Sequence, residues 1–287
     1  MKTIRDVRPS PIAGQWYPAD ELDLAARVDG YIQAAHLPEI DGEIVAVMAP
    51  HAGHRYSGPV AGYAFAAVLG LCPEVVAVVS PLHYPYPEPV LTSAHSAYVT
   101  PLGLIPVDQE ALDQLAACLR TSLGFDLARL YNDPEHSLEI ELPFLQRALG
   151  SPFRLLPVMV REQSSRIAFG LGQALADVLR GRSALLVAST DLSHFYSHTV
   201  AEKLDAEMLR QVGALDPLGV VRAEEEGKAF ACGCGALAAV LWAARALGAN
   251  GAQILRYATS GDVTGDYDQV VGYGAAVVTR QKVDSSN

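Results

Sequence analysis

Three histidines in this chain each follow a short apolar run within six residues: His51, His83 and His194. Such runs are typical of buried β-strands. In an open α/β sheet, ligands bind beyond the carboxyl ends of the parallel strands. Loops at that edge can bring imidazoles from distant sequence positions to one point. Imidazoles gathered in this way bind a metal ion or transfer protons, so the spacing predicts one of these two chemistries.

Two further side chains suit the same chemistry. Asp191 lies three residues before His194, where its carboxylate could orient that imidazole or raise its pKa by stabilising the imidazolium. An N-cap of the following helix is the alternative role for Asp191. Cys232 comes just before a strongly apolar helical segment, and a helix N-terminus stabilises a thiolate, which is a ligand for iron, copper or zinc. A small buried residue in a glycine-rich turn is the alternative for Cys232.

The elements that must position these side chains alternate between strand and helix, which is the pattern of βαβ units. The predicted strands are 44–49, 75–79, 154–160, 184–188, 253–258 and 270–278. The predicted helices are 57–69, 109–119, 133–149, 165–179, 200–212, 217–226 and 235–247. The helix from 133 is predicted because Asp133-Pro134-Glu135 has the composition of a helix start. We therefore predict an α/β fold in a single domain, 1–287, with a mostly parallel central sheet flanked by helices.

Composition narrows the class of protein. A net charge of −11 argues against a nucleic-acid backbone as the main partner, because phosphate binding needs clustered Lys and Arg. The stretch Met1–Arg8 lacks the apolar core of a signal peptide, and no apolar stretch suits a membrane span. Four cysteines in a chain without export features are expected to be reduced. We expect a cytoplasmic protein that binds neither nucleic acid nor membrane.

Together these blocks resemble the Memo family, whose bacterial members are also called AmmeMemoRadiSam system protein B. The resemblance covers nearly the whole chain in family order. It rests on the segments 13–18, 49–53, 81–83, 100–103, 135–139, 189–194, 232–233, 257–262 and 271–273. It implies a fold shared with class III extradiol dioxygenases, which hold a non-haem Fe(II) and open catechol-type rings with O₂.

The resemblance also implies roles for individual residues. His51 and His83 fall on the family's two histidine ligands, and Cys232 falls on its thiolate ligand. His194 falls on a third pocket histidine, which corresponds to the acid/base residue of the dioxygenases, and Asp191 falls on a nearby carboxylate. The implied metal is Fe(II), with copper or zinc as alternatives.

Three functions remain open from the sequence. The leading one is a metal-dependent, dioxygenase-like oxidoreductase that acts on a small aromatic or phenolic molecule bound in the strand-end pocket. The second, implied by the resemblance, is a non-catalytic binding or scaffold protein that works with radical-SAM and AMMECR1-like partners. The third needs no metal: Cys232 would be a nucleophile, His194 its base and Asp191 the orienting group.

Overall fold

The structure, a computed structural model, describes residues 6–281. Its helices are α1 (Glu21–Gln33), α2 (His54–Ala67), α3 (Gln109–Leu123), α4 (Leu142–Ala148), α5 (Ser165–Leu179), α6 (His198–Gly213), α7 (Pro217–Glu225), α8 (Cys234–Ala246) and α9 (Gly261–Thr264). Its strands are β1 (Val7–Arg8), β2 (Glu43–Ala49), β3 (Val75–Pro81), β4 (Val90–Ser93), β5 (Ala97–Thr100), β6 (Gly103–Pro106), β7 (Ala128–Leu130), β8 (Arg154–Val160), β9 (Ala184–Ser189), β10 (His194–Tyr196), β11 (Gly251–Thr259) and β12 (Val270–Arg280).

A nine-stranded sheet forms the centre of the fold, in the order β10-β12-β2-β9-β3-β8-β4-β7, with β11 paired to β12. The four strands β2, β9, β3 and β8 are parallel neighbours. On either side, β12 runs antiparallel to β2 and β4 runs antiparallel to β8. The predicted α/β class is confirmed, but the prediction of a mostly parallel sheet is wrong, because the sheet is mixed. The link between β11 and β12 is too short for the helical crossover that parallel pairing requires.

The central strands are buried on both faces, as expected for parallel strands covered by helices. Every residue of β3 is buried. Helix α8 packs on β3 and β9 and against α5, while α2 packs on β2 and β12. The α5–α8 contact is close: a Cβ on Gly172 would lie 2.8 Å from the carbonyl oxygen of Ala239. This packing gives the loops at the carboxyl ends of the strands a rigid base.

The helix predicted from Asp133 is wrong at its start. Residues 133–138 form a loop, a 3-10 turn spans Glu139–Glu141, and α4 begins only at Leu142. The buried Arg8 accounts for the difference. Its guanidinium donates to the carbonyl oxygens of Asp133 and Glu135 at 3.0 and 2.8 Å and to the carboxylate of Asp133. Because Arg8 donates hydrogen bonds to these carbonyl and carboxylate oxygens, the segment does not need helical hydrogen bonds to pair them.

Most other predicted elements are confirmed, including β8 and α5 at the predicted bounds. A small second sheet joins β1, β5 and β6 in that order. Within residues 6–281, no helix combines the length and the apolar character needed to cross a bilayer.

Candidate metal centre

Three imidazoles meet at the carboxyl ends of the parallel strands. His51 follows β2, His83 follows β3, and His136 lies in the loop before the 3-10 turn. Each offers a ligand atom that lies within 4.8 Å of those of the other two. The rings of His83 and His136 stack with centroids 4.8 Å apart, and His51 stands edge-on to both at 5.3 and 5.5 Å. This group could hold a metal ion.

The three histidines differ in how much of each side chain is exposed to solvent. His51 is fully buried, the side chain of His136 is 17% exposed and that of His83 is 34% exposed. The group is therefore buried at His51 and reaches solvent at His83. A small molecule can approach the imidazoles from the side of His83.

One buried carboxylate fixes the orientation of His83. Glu135 accepts hydrogen bonds from the His83 ring Nδ1 at 2.9 Å and from the His83 amide. It also accepts from the amides of His136 and Ser137, both at 2.9 Å. Burial alone would raise the pKa of Glu135, but the hydrogen bonds and charge of His83 and the charge of His136 outweigh it and hold the pKa well below its usual range. An ionised Glu135 accepts a hydrogen bond from the protonated Nδ1 of His83. The other ring nitrogen, Nε2, then keeps a lone pair that can bind a metal.

A different chain of contacts fixes His51. Its Nδ1 lies 3.0 Å from the hydroxyl of Ser189, which also contacts the carbonyl of Ser137 at 2.6 Å and the carboxyl of Glu141 at 2.7 Å. The single proton of the hydroxyl goes to one of those oxygens, so Ser189 accepts from Nδ1 of His51. Burial raises the pKa of Glu141 well above its usual value. The unprotonated ring atom of His51 is again Nε2, which faces Sγ of Cys232 at 3.1 Å.

His51 and His136 are held in the neutral form, which is the form that binds metals. Burial lowers the pKa of His51 well below its usual value, and the positive charges of His136 and His83 would add to that effect. Burial likewise lowers the pKa of His136 to about 4, although the carboxylate of Glu135 opposes the shift. Neutral rings with free nitrogens are the donors that a cation requires, so the site's chemistry fits a metal ion.

Cys232 lies beside His51. Its Sγ is 3.1 Å from Nε2 of His51 and accepts a hydrogen bond from the amide of Asp191 at 3.2 Å. The side chain of Gln163, which follows β8, bonds to the carbonyl of Cys232 and the amide of Gly235 at 2.7 and 2.8 Å. These contacts fix the turn before α8, and the Sγ–Nε2 distance lets both atoms face one cation.

The environment of Cys232 differs from the sequence expectation of a dipole-stabilised thiolate. Burial raises the pKa of this thiol well above its usual value, and the carboxylate of Asp191 raises it further. The loss of hydration outweighs the helix N-terminus, because the neutral thiol is the form that needs less water. A cation at the site would reverse this balance, since a coordinating thiol is deprotonated.

The structure places Asp191 and His194 near the group but does not pair them. The carboxylate of Asp191 accepts from the amides of His51 and Ala52 at 2.7 and 3.2 Å, and burial raises its pKa to about 7. Nδ1 of the half-buried His194 donates to the carbonyl of Leu192 at 2.8 Å. Asp191 therefore holds the loop that carries His51 and does not orient His194.

Sequence reasoning missed His136 and Glu135 as members of the site. Both were attributed to the start of a helix that does not form there. The signal was present in the sequence, where an imidazole directly follows a carboxylate in the segment 135–139. In contrast, His54 and Cys234 are buried away from the group: His54 Nε2 bonds to the carbonyl of Ile140, and Cys234 Sγ faces that of Val220.

The fold and the pocket define an α/β protein with a group of histidines at the carboxyl ends of its parallel strands. The chain matches the model of the family described as Memo-like protein over residues 8–277, and it belongs to that family. The family predicted from the sequence is thus confirmed.

Relatives match along nearly the whole chain. A MEMO1 family protein of Nitrosopumilus maritimus is 34% identical over 94% of this chain and 98% of its own length. The MEMO1 family protein MK0963 of Methanopyrus kandleri is 37% identical over 95% of this chain and 99% of its own length. Among solved structures, the uncharacterized protein JW3007 from Escherichia coli K12 covers 82% of this chain and 100% of its own, with a TM-score of 0.48 and 14% identity.

Proposed function

We propose that this protein binds one metal ion, iron foremost, and acts as a dioxygenase-like oxidoreductase on a small aromatic or phenolic molecule. The proposed ligands are His51, His83 and Cys232. The observation that carries the proposal is that hydrogen bonds fix which ring nitrogen of His51 and of His83 is protonated. Ser189 and Glu135 each accept a hydrogen bond from an Nδ1 atom, so that Nε2 of His51 and Nε2 of His83 keep a lone pair for a metal ion.

The donor set supports iron, copper and zinc alike, because imidazole suits all three and thiolate favours the softer metals. Fe(II) would supply a redox-active centre at which an aromatic substrate and O₂ could react. The partial exposure of His83 supports access for a small substrate from solvent.

His194 is the proposed proton carrier. Its Nδ1 proton is engaged by the carbonyl of Leu192, which leaves a lone pair on Nε2. Burial lowers the pKa of His194, and the positive charge of His83 would lower it further. A neutral imidazole with a free nitrogen can accept a proton from a substrate hydroxyl and later return it.

Asp191 is proposed as a positioning residue for His51. It accepts two backbone amides at the turn that follows β2. The same carboxylate raises the pKa of Cys232, so it also favours the neutral thiol of this proposed ligand over the thiolate.

The proposal is tested on protein purified without oxygen and loaded with Fe(II). We expect one iron per chain by metal analysis, and loss of the iron in His51→Ala and His83→Ala. His198→Ala is the matched control, because His198 lies on α6 beside Glu202 and outside the group. Full iron content in both ligand variants would contradict the proposed site. Oxygen uptake is then measured with a panel of catechols, and an iron-loaded protein that consumes no oxygen with any of them would contradict the oxidoreductase.

A further inference from the structure

We infer that His136 is a further metal-binding side chain, so that the ion is held by three imidazoles with the thiol of Cys232 beside them. This inference rests on the proposed metal site and adds a donor to it. It changes the expected donor set from two nitrogens and one sulfur to three nitrogens and one sulfur.

The first argument is position. Within residues 6–281, the group whose ligand atoms all lie within 4.8 Å of one another consists of His51, His83 and His136. Cys232 is near His51 but falls outside this group. His136 is thus placed to share an ion with both other imidazoles.

The second argument is orientation. Nδ1 of His136 lies 3.3 Å from Oε1 of Glu135, the oxygen that also accepts from Nδ1 of His83. One carboxylate therefore occupies the Nδ1 side of both rings. The two rings are stacked only 16° from parallel, and the ligand atoms of both lie within 4.8 Å of that of His51.

The third argument is restraint. The ring of Trp16 lies 4.1 Å from the ring of His136, and the ring of His83 lies 4.8 Å from it. The amide of His136 is held by Glu135 at 2.9 Å. A ring packed between aromatic neighbours and fixed at its backbone loses little freedom on binding an ion, which favours its use as a ligand.

A purely structural role for His136 would be a charge pair with Glu135. The carboxylate of Glu135 is already satisfied by three backbone amides and Nδ1 of His83. A contact of His136 Nδ1 with Glu135 would add little to the fold, and we assign the other ring nitrogen, Nε2, to the ion.

The inference is tested by counting nitrogen donors. Cu(II) is bound to the Cys232→Ser protein, which lacks the thiol that Cu(II) would oxidise, and the nitrogen couplings are measured by electron paramagnetic resonance. We expect three coordinated imidazole nitrogens, and two after the further change His136→Ala. Three nitrogens that persist in the His136→Ala protein, or two nitrogens before it, would overturn the inference.

Affinity gives an independent measurement on the intact thiol. Co(II) titration of His136→Ala should show affinity weaker than wild type by at least about 100-fold, the upper range for loss of an outer-shell partner. His198→Ala should bind as wild type does. Equal affinities of wild type and His136→Ala overturn the inference while leaving the proposed metal site intact. A wild-type protein that binds neither Co(II) nor Fe(II) overturns the proposed function itself.

His136→Asn serves as a second variant if the alanine protein is poorly folded. The nitrogen count on the Cys232→Ser protein needs no change at position 136. A count of two nitrogens in that protein would therefore overturn the inference even if both position-136 variants fail to fold.

Discussion

The carboxylate of Glu135 accepts a hydrogen bond from Nδ1 of His83 at 2.9 Å, across 52 residues of sequence. This contact joins the loop after β3 to the loop before the 3-10 turn. It sets which nitrogen of His83 carries the proton, so the state of the ring is decided before any ligand arrives. Carboxylate–histidine pairs of this kind raise the basicity of a metal-binding imidazole.

We predict that Glu135→Gln weakens metal binding by about 10–100-fold. The amide keeps the size of the side chain, but its NH₂ group cannot accept the hydrogen bonds now made to that oxygen. Co(II) titration measures the effect. Glu110→Gln, an exposed change on α3, is the control, and an equal affinity of both variants would count against the role of Glu135.

Arg8 should be essential to the fold of the site loop. It is fully buried and paired with the carboxylates of Asp133 and Glu139. Arg8→Met leaves buried charge without a partner, so we predict a loss of about 3–5 kcal/mol in the free energy of unfolding. Urea denaturation measures it. Arg147→Met breaks the largely exposed pair with Asp29 and should cost far less; comparable losses would refute the prediction.

The two functions of the Asp191 side chain can be separated by substitution. Asp191→Ala removes the acceptor of two backbone amides, so we predict a loss of about 1–3 kcal/mol in the free energy of unfolding. Asp191→Asn keeps an acceptor oxygen in place and should lose much less. If the alanine and asparagine proteins are equally stable in urea, the amides do not depend on this side chain.

The metal-free protein should lose stability in mild acid, with His54 as one identifiable cause. Burial lowers the pKa of His54 from 6.5 to about 4. Between these values His54 is protonated in the unfolded chain but not in the folded protein. The free energy of unfolding therefore falls as the pH falls through this window. The full shift corresponds to about 3 kcal/mol.

His54→Gln removes that proton while keeping a donor for the carbonyl of Ile140. We therefore expect the variant to lose less stability than wild type between neutral pH and about pH 4. Urea unfolding across this range provides the measurement. An identical pH dependence of the two proteins would exclude His54 as a contributor.

The parallel centre of the fold could be predicted from the sequence because each central strand is buried on both faces. That burial leaves an uninterrupted apolar run, as in β3. The antiparallel pairing of β12 with β2 and of β4 with β8 could not be predicted, because these strands are far apart in the sequence or joined by long connections. Periodicity shows that a strand exists but not which neighbour it pairs with.

The part of the site carried by strand ends was equally visible, since His51 and His83 directly follow predicted strands. The segment Asp133–Glu135 was misread because its local composition is that of a helix start. Arg8, 125 residues away from Asp133, donates hydrogen bonds to the oxygens of this segment that would otherwise accept within a helix. Long-range competition of this kind is expected where a local rule fails at a functional site.

The strand that leads to His51 lies between β9 and β12 in the sheet, and both of those strands come from the second half of the described chain. A nascent polypeptide that has emerged as far as His83 therefore has two of the imidazoles but neither of the strands that flank β2. If the proposed metal site exists, its surroundings are complete only after Val270–Arg280 has been synthesised, so the finished protein, and not the growing chain, would bind the ion.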